Sequence, residues 1–276
     1  MRNLPTVTKN ILLITILCWF GTVVLSRYGV DCNQLFGLHY VTATQFYIWQ
    51  PLTYMFMHGG FGHLFCNMFA VLMFAPALEE RWGSKRFLIY YFVCGIGAAL
   101  MQEAVWALHF QPILSGYPVD VARRIANDYV TIGASGAVFG ILFAFAWLFP
   151  EVRLFILFVP IPIRARVAVI AYMVFELFAG FSSLPGDNVA HFAHLGGALF
   201  GWLLLLWWRH KQYGGFEKGE MSDSHVRFWF RQQWHKFCSW CQLHIPCCKR
   251  FPRIRRDKSK EKTQDYSDYH YHESVK

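Results

Sequence analysis

The sequence predicts an all-α membrane protein, a bundle of six transmembrane helices with both termini cytoplasmic. Three observations predict it. Of 276 residues, 55% are hydrophobic and only 16% charged, against about a quarter charged in a soluble domain. Six segments are apolar over about the 20 residues that cross a bilayer core. Basic residues gather in the connections that would share one side. The mean hydropathy of +0.28 agrees. Disorder, collagen, a small disulfide scaffold and a soluble enzyme are excluded as the main class, the last because too little charge is present to cover it.

The first span, 11–26, follows Arg2 and Lys9. Its length would suit a signal peptide, but no small-x-small cleavage site follows, so it reads as retained. The second, 52–78, contains His58-Gly-Gly-Phe-Gly-His63-Leu-Phe-Cys-Asn67. The third is 87–107. The fourth, 133–149, opens with Gly133-Ala-Ser135-Gly136 and is short, at about 25 Å. The fifth, 167–181, holds one carboxylate, Glu176, which should face protein or water and form a structural hydrogen bond. The sixth, 189–208, opens with Ala190-His191-Phe-Ala-His194-Leu-Gly-Gly197. Two outer connections, 27–51 and 108–132, are long. The second holds Pro112, Gly116 and Pro118, and Arg123, Arg124 and Asp128 mark it as surface.

The side that receives the N-terminus carries Arg2, Lys9, Arg81, Lys85, Arg86, Arg153, Arg164 and Arg166, while the other carries Arg27, Arg123 and Arg124. This bias orients both termini to the cytoplasm, in a plasma or inner cell membrane. The chain divides into an apolar body, 1–208, and a basic tail, 209–276, partly disordered. The tail holds 15 Lys/Arg against 8 Asp/Glu, out of a net charge of +9. Phe228, Phe230 and Trp234 interleave there with Arg227 and Arg231, a pattern that suits the inner-leaflet interface. Eight Lys/Arg in 249–262 are enough to meet anionic lipid. The charge reads as lipid-directed, and no nucleic-acid partner is expected. Cys238, Cys241, His244, Cys247 and Cys248 have zinc-ligand chemistry without the spacing of a ribbon. Cys18, Cys32, Cys66 and Cys94 read as small apolar fillers.

Polar side chains inside spans are expensive and point to function. Counted back from the cytoplasmic ends, Ser135, His194 and His63 lie about 21, 21 and 22 Å above the inner boundary. They share one plane, reached from three parallel helices. Asn67 lies one turn from His63, on the same face. Ser135 sits at a helix N-terminus, where backbone N–H groups lack partners, the arrangement an oxyanion site needs. Gly136 and Gly140 on one span, and Gly197 and Gly201 on another, form small-x-x-x-small faces that let helices approach. That contact is expected to bring Ser135 within reach of His194. His58, with Gly59-Gly60 and Asp187-Asn188, is expected to line an outer cavity. A metal site of His58, His63, His191 and His194 lacks a carboxylate or cysteine to complete it, so neither metal nor cofactor is expected.

Gly133-Ala-Ser135-Gly136, His194-x-x-Gly197-x-x-x-Gly201 and His63-x-x-x-Asn67 together resemble the rhomboid intramembrane serine proteases, over about residues 10–208. The resemblance implies cleavage of peptide bonds within or beside the transmembrane helices of membrane-protein substrates. It makes Ser135 the nucleophile and His194 the general base, a dyad that needs no aspartate. It assigns His63, Asn67 and the Ser135 N–H to the oxyanion hole and stacks Phe139 on His194, where many members have Tyr. Gly133, Gly197, Gly201 and His58 support the site. Glu79-x-Arg81-x-Gly83 resembles a structural element of the family. Trp49-Gln50 stands where some members have Trp-Arg, so a polar contact in the first outer connection should differ. An inactive relative that binds membrane clients is the alternative, and intact Ser135 and His194 argue against it.

Overall fold

The structure, a computed structural model, describes residues 4–155, 162–182 and 190–210. The cysteine-containing tail and the Asp187-Asn188 pair lie outside these residues. The apolar segments fold as helices because no lone strand or loop can satisfy its backbone in hydrocarbon. Helix α1 spans Thr6–Ser26. The outer connection that follows holds α2 (Cys32–Phe36), β1 (Leu38–His39) and α3 (Gln50–Thr53). Then come α4 (Phe61–Trp82), α5 (Ser84–Leu114), α6 (Val119–Ala126), β2 (Val130–Thr131) and α7 (Ser135–Leu148). A hairpin of β3 (Arg153–Phe155) and β4 (Pro162–Arg164) leads to α8 (Ala165–Ser182) and α9 (His191–His210).

Among the described residues, α1, α4, α5, α8 and α9 are long and apolar enough to cross a membrane. The expected fourth span, α7, has 14 residues, about 21 Å. It is also the most enclosed: Gly136 through Ile141 and Ala144 through Ala146 are all buried.

One expectation needs correction. The expected second span does not begin at residue 52. Residues 50–56 form α3 and a 3-10 turn, and α4 starts only after Gly59-Gly60. Tyr54 and Met55 are 2% and 0% exposed, so this apolar run is protein core rather than lipid-facing helix. His58 therefore lies before α4. Two short antiparallel ribbons accompany the helices of this mostly helical fold. β1 pairs antiparallel with β2, Leu38 opposite Thr131 and His39 opposite Val130. β3 and β4 pair Leu154 with Ile163. The first ribbon ties the two outer connections together just before α7, which fixes where that helix starts.

Helix α9 packs most extensively on α5 and α7, and small residues permit it. A side chain on Gly197 would overlap the Gly136 carbonyl, and one on Gly201 would strike Tyr90 and Cys94. Gly140 also faces Cys94. Of the two small faces, then, Gly136 and Gly140 both meet Gly197, a Cβ on Gly140 lying 3.2 Å from the Gly197 carbonyl oxygen. Gly201 serves the approach to α5. Tyr90 Oη donates to the Gly140 carbonyl at 2.8 Å, and Tyr54 Oη to that of Gly95 at 2.7 Å.

At the other end, Glu79 accepts the Val7 and Thr8 N–H groups at 2.9 and 2.7 Å and the hydroxyls of Thr8 and Ser84 at 2.8 and 2.6 Å. One carboxylate thus caps the orphan donors of α1 and anchors the turn into α5. Arg81 lies over the Phe149 ring at 5.7 Å. Gly83, at φ 79°, ends α4 in a conformation that favours glycine. In the first outer connection, Gln50 is fully buried. Its Oε1 accepts the His39 N–H at 3.3 Å and its Nε2 donates to the Gln45 carbonyl at 2.8 Å. An arginine there would bring only donors.

Candidate active site

Residues 130–134 aim the serine. Gly133 adopts φ 126°, and a Cβ there would lie 2.7 Å from His63 Nε2. Only glycine allows both this backbone and this approach. The Gly133 N–H donates to the Tyr54 carbonyl at 2.9 Å, and the Ala134 N–H points at His58 Nε2 at 3.5 Å. Ser135 is the first residue of α7, so its own N–H has no helical acceptor.

His58 does not line an outer cavity. It is 1% exposed, with its ring edge-on to His63 at 4.9 Å. Its place is beneath the segment that leads into Ser135, because Gly59-Gly60 turns the chain before α4 begins.

Ser135 Oγ lies 2.8 Å from His194 Nε2. The two side chains come from α7 and α9, whose glycine contact begins one residue after Ser135 and three after His194. The Phe139 ring, one turn along α7, stacks on the His194 imidazole at 4.3 Å and 7°. Ser135 and His63 are partly exposed, while Asn67 and His194 are 5% and 8% exposed. Asn67 Nδ2 donates one proton to the His63 carbonyl at 2.9 Å, one turn back on its own helix. The site thus combines a hydroxyl against an imidazole with the His63 ring beside Gly133 and a helix-terminal N–H. Such a set can perform acyl transfer.

Sequence reasoning missed the other side of His194. Glu176 Oε2, from α8, accepts from His194 Nδ1 at 2.8 Å and from His191 Nδ1 at 2.7 Å. Sequence signals existed: a lone carboxylate in an apolar span, and two histidines three apart. Nothing in the spacing of one helix tells which face of another it meets. These three donor atoms lie within 4.8 Å of one another, so Glu176 is the carboxylate that the histidine cluster lacked. Both Nδ1 atoms meet it at hydrogen-bond distance.

A family model described as Rhomboid domain matches residues 45–211. Rhomboid protein 1, mitochondrial, of Saccharomyces cerevisiae is 31% identical over 153 residues, 54% of this chain and 40% of that protein. RHOMBOID-like protein 5 of Arabidopsis thaliana is 30% identical over 174 residues, 60% and 46% of the two. Rhomboid protease GluP of Bacillus subtilis is 27% identical over 205 residues, 71% and 34%. The chain spans less than half the length of these curated relatives. With the helices described above, the match makes this an integral membrane protein, and the chain belongs to the rhomboid family.

Proposed function

We propose that this chain is an intramembrane serine endopeptidase that cuts within or next to the transmembrane helix of membrane-protein substrates. The observation that carries the reading is the 2.8 Å contact between Ser135 Oγ and His194 Nε2, made between two helices of an apolar bundle. Serine is a poor nucleophile until a base takes its proton, and a neutral imidazole does so near pH 7. Attack on the scissile carbonyl gives a tetrahedral intermediate, and His194 then protonates the leaving amine. The anionic oxygen is met by the Ser135 N–H, the His63 ring N–H and the second amide proton of Asn67, preorganised donors in a low-dielectric site. Water hydrolyses the acyl-enzyme by the reverse use of His194. Phe139 holds the imidazole plane. Gly133, Gly197, Gly201 and His58 support the positions of Ser135 and His194.

In this reading α7 is the sixth membrane helix, the termini are cytoplasmic, and the protein resides in a plasma or inner membrane. Residues 1–208 are the protease domain, and the basic tail 209–276 engages anionic lipid. The relative from Bacillus subtilis is named a rhomboid protease, which supports the class of reaction. A fluorophosphonate probe tests it on the purified, detergent-solubilised chain. Labelling is expected on Ser135, lost in Ser135→Ala and in His194→Ala, with cleavage of a fluorescent transmembrane substrate lost in parallel. A folded protein that takes no label and cuts nothing would instead be a client-binding relative.

A further inference from the structure

Glu176 stands apart from its own helix. Its neighbours Val174, Phe175, Leu177 and Phe178 are 46%, 61%, 43% and 69% exposed, while Glu176 is 3% exposed. α8 therefore turns its apolar residues outward and its one carboxylate inward, against the expense of removing a charge from water. Among the described residues, the groups bonded to that carboxylate are two imidazoles, both on the same oxygen. Stapling α8 to α9 would need only one of them. His194 is the one whose far nitrogen meets Ser135.

We propose that Glu176 is a positioning residue for His194. A neutral imidazole carries one proton, and only the nitrogen without it accepts the serine hydroxyl. A carboxylate can only accept, so Oε2 at 2.8 Å holds the proton on Nδ1 and leaves the Nε2 lone pair facing Ser135 Oγ. Once His194 has taken the serine proton, the same carboxylate faces the imidazolium, the part played by the acid of a serine–histidine–acid triad. His191 is the second anchor. Its Nδ1 proton, 2.7 Å from the same oxygen, fixes where that oxygen stands. The residue serves the reaction proposed above and rests on that reading, and it extends the dyad to a Ser135–His194–Glu176 triad whose acid comes from a third helix.

Two variants and a spectroscopic readout test it on the full chain. Glu176→Met keeps length and apolar character and removes the acceptor. Glu176→Gln keeps an acceptor oxygen and removes the charge. In nitrogen-15 NMR of histidine-labelled protein, with His194 assigned through His194→Asn, the wild type and Gln variant are expected to show the Nδ1-protonated tautomer. The Met variant is expected to lose that preference. With the transmembrane substrate, kcat is expected to fall by about 100-fold or more in Met and by about 10-fold in Gln, with KM nearly unchanged. Retention of the Nδ1 tautomer in Met, or a kcat within about threefold of wild type there, overturns the proposal. So do equal losses in both variants that track their thermal unfolding. If Met does not fold, Gln decides alone: a lower kcat at unchanged melting supports the assignment, and an unchanged kcat refutes it. Ser135→Ala is run alongside. Cleavage that survives it would overturn the protease reading, while the tautomer measurement, which needs no turnover, still decides on Glu176.

Discussion

At the scale of single residues, the Phe139 ring restrains an imidazole that has hydrogen bonds at both nitrogens. An aromatic pair contributes about 0.5–1.5 kcal/mol beyond area burial. Phe139→Leu is therefore expected to lower kcat by roughly 3- to 10-fold with little change in KM, read from initial rates on the transmembrane substrate. Spacing along one helix made this neighbour legible, since Ser135 and Phe139 are one turn apart in any α-helix. The Ser135–His194 pairing was legible from matched depth and matching small faces on two spans. The Glu176 contact was not, because the azimuth of α8 against α9 is decided by packing.

Among elements, the closest approach is that of α7 and α9. A methyl on Gly197 would overlap the Gly136 carbonyl, and backbone cannot give way as a flexible side chain can. Gly197→Ala should destabilise the protein by about 1–3 kcal/mol and abolish Ser135 labelling, as seen by thermal unfolding and probe incorporation. Gly21, mid-α1, has nothing within 4 Å of its Cβ position. Gly21→Ala should be neutral or stabilising by up to about 1 kcal/mol, a control within the same molecule. Glu79→Gln leaves an amide that cannot accept all four bonds now made to the carboxylate. A loss of about 1–2 kcal/mol is expected in the same unfolding measurement.

The outer ribbon carries a pH dependence of its own. Burial holds His39 below the ordinary histidine range, so the unfolded connection binds protons more readily than the folded one. Stability from neutral His39 is complete above about pH 6.5 and is lost as pH falls toward the lower folded value. Protection factors at Leu38–His39 and Val130–Thr131, exchange measured against the intrinsic rate at each pH, should fall on that descent, and a His39→Gln variant should abolish the change.

For the whole molecule, the number of crossings turns on α7. Its 14 residues fall short of a bilayer core, yet the residue at its start is the proposed nucleophile. With six crossings, tags at the two ends of the full chain face the same side. With five, they face opposite sides. Protease protection of both tags in sealed vesicles is expected to agree, both on the cytoplasmic face.

Composition and periodicity were enough to determine that the chain is helical and apolar and where most of its long apolar helices lie, because solvation in lipid acts on each segment separately. They could not separate the apolar run 52–57 from a true span, since a hydrophobic side chain buried in protein and one facing lipid read alike. Tertiary structure alone decided that Tyr54 and Met55 are core, that His58 lies beneath the serine loop, and that Glu176 meets His191 and His194. Each of those depends on how one helix is rotated against another, and that rotation is set by contacts between residues far apart in the chain.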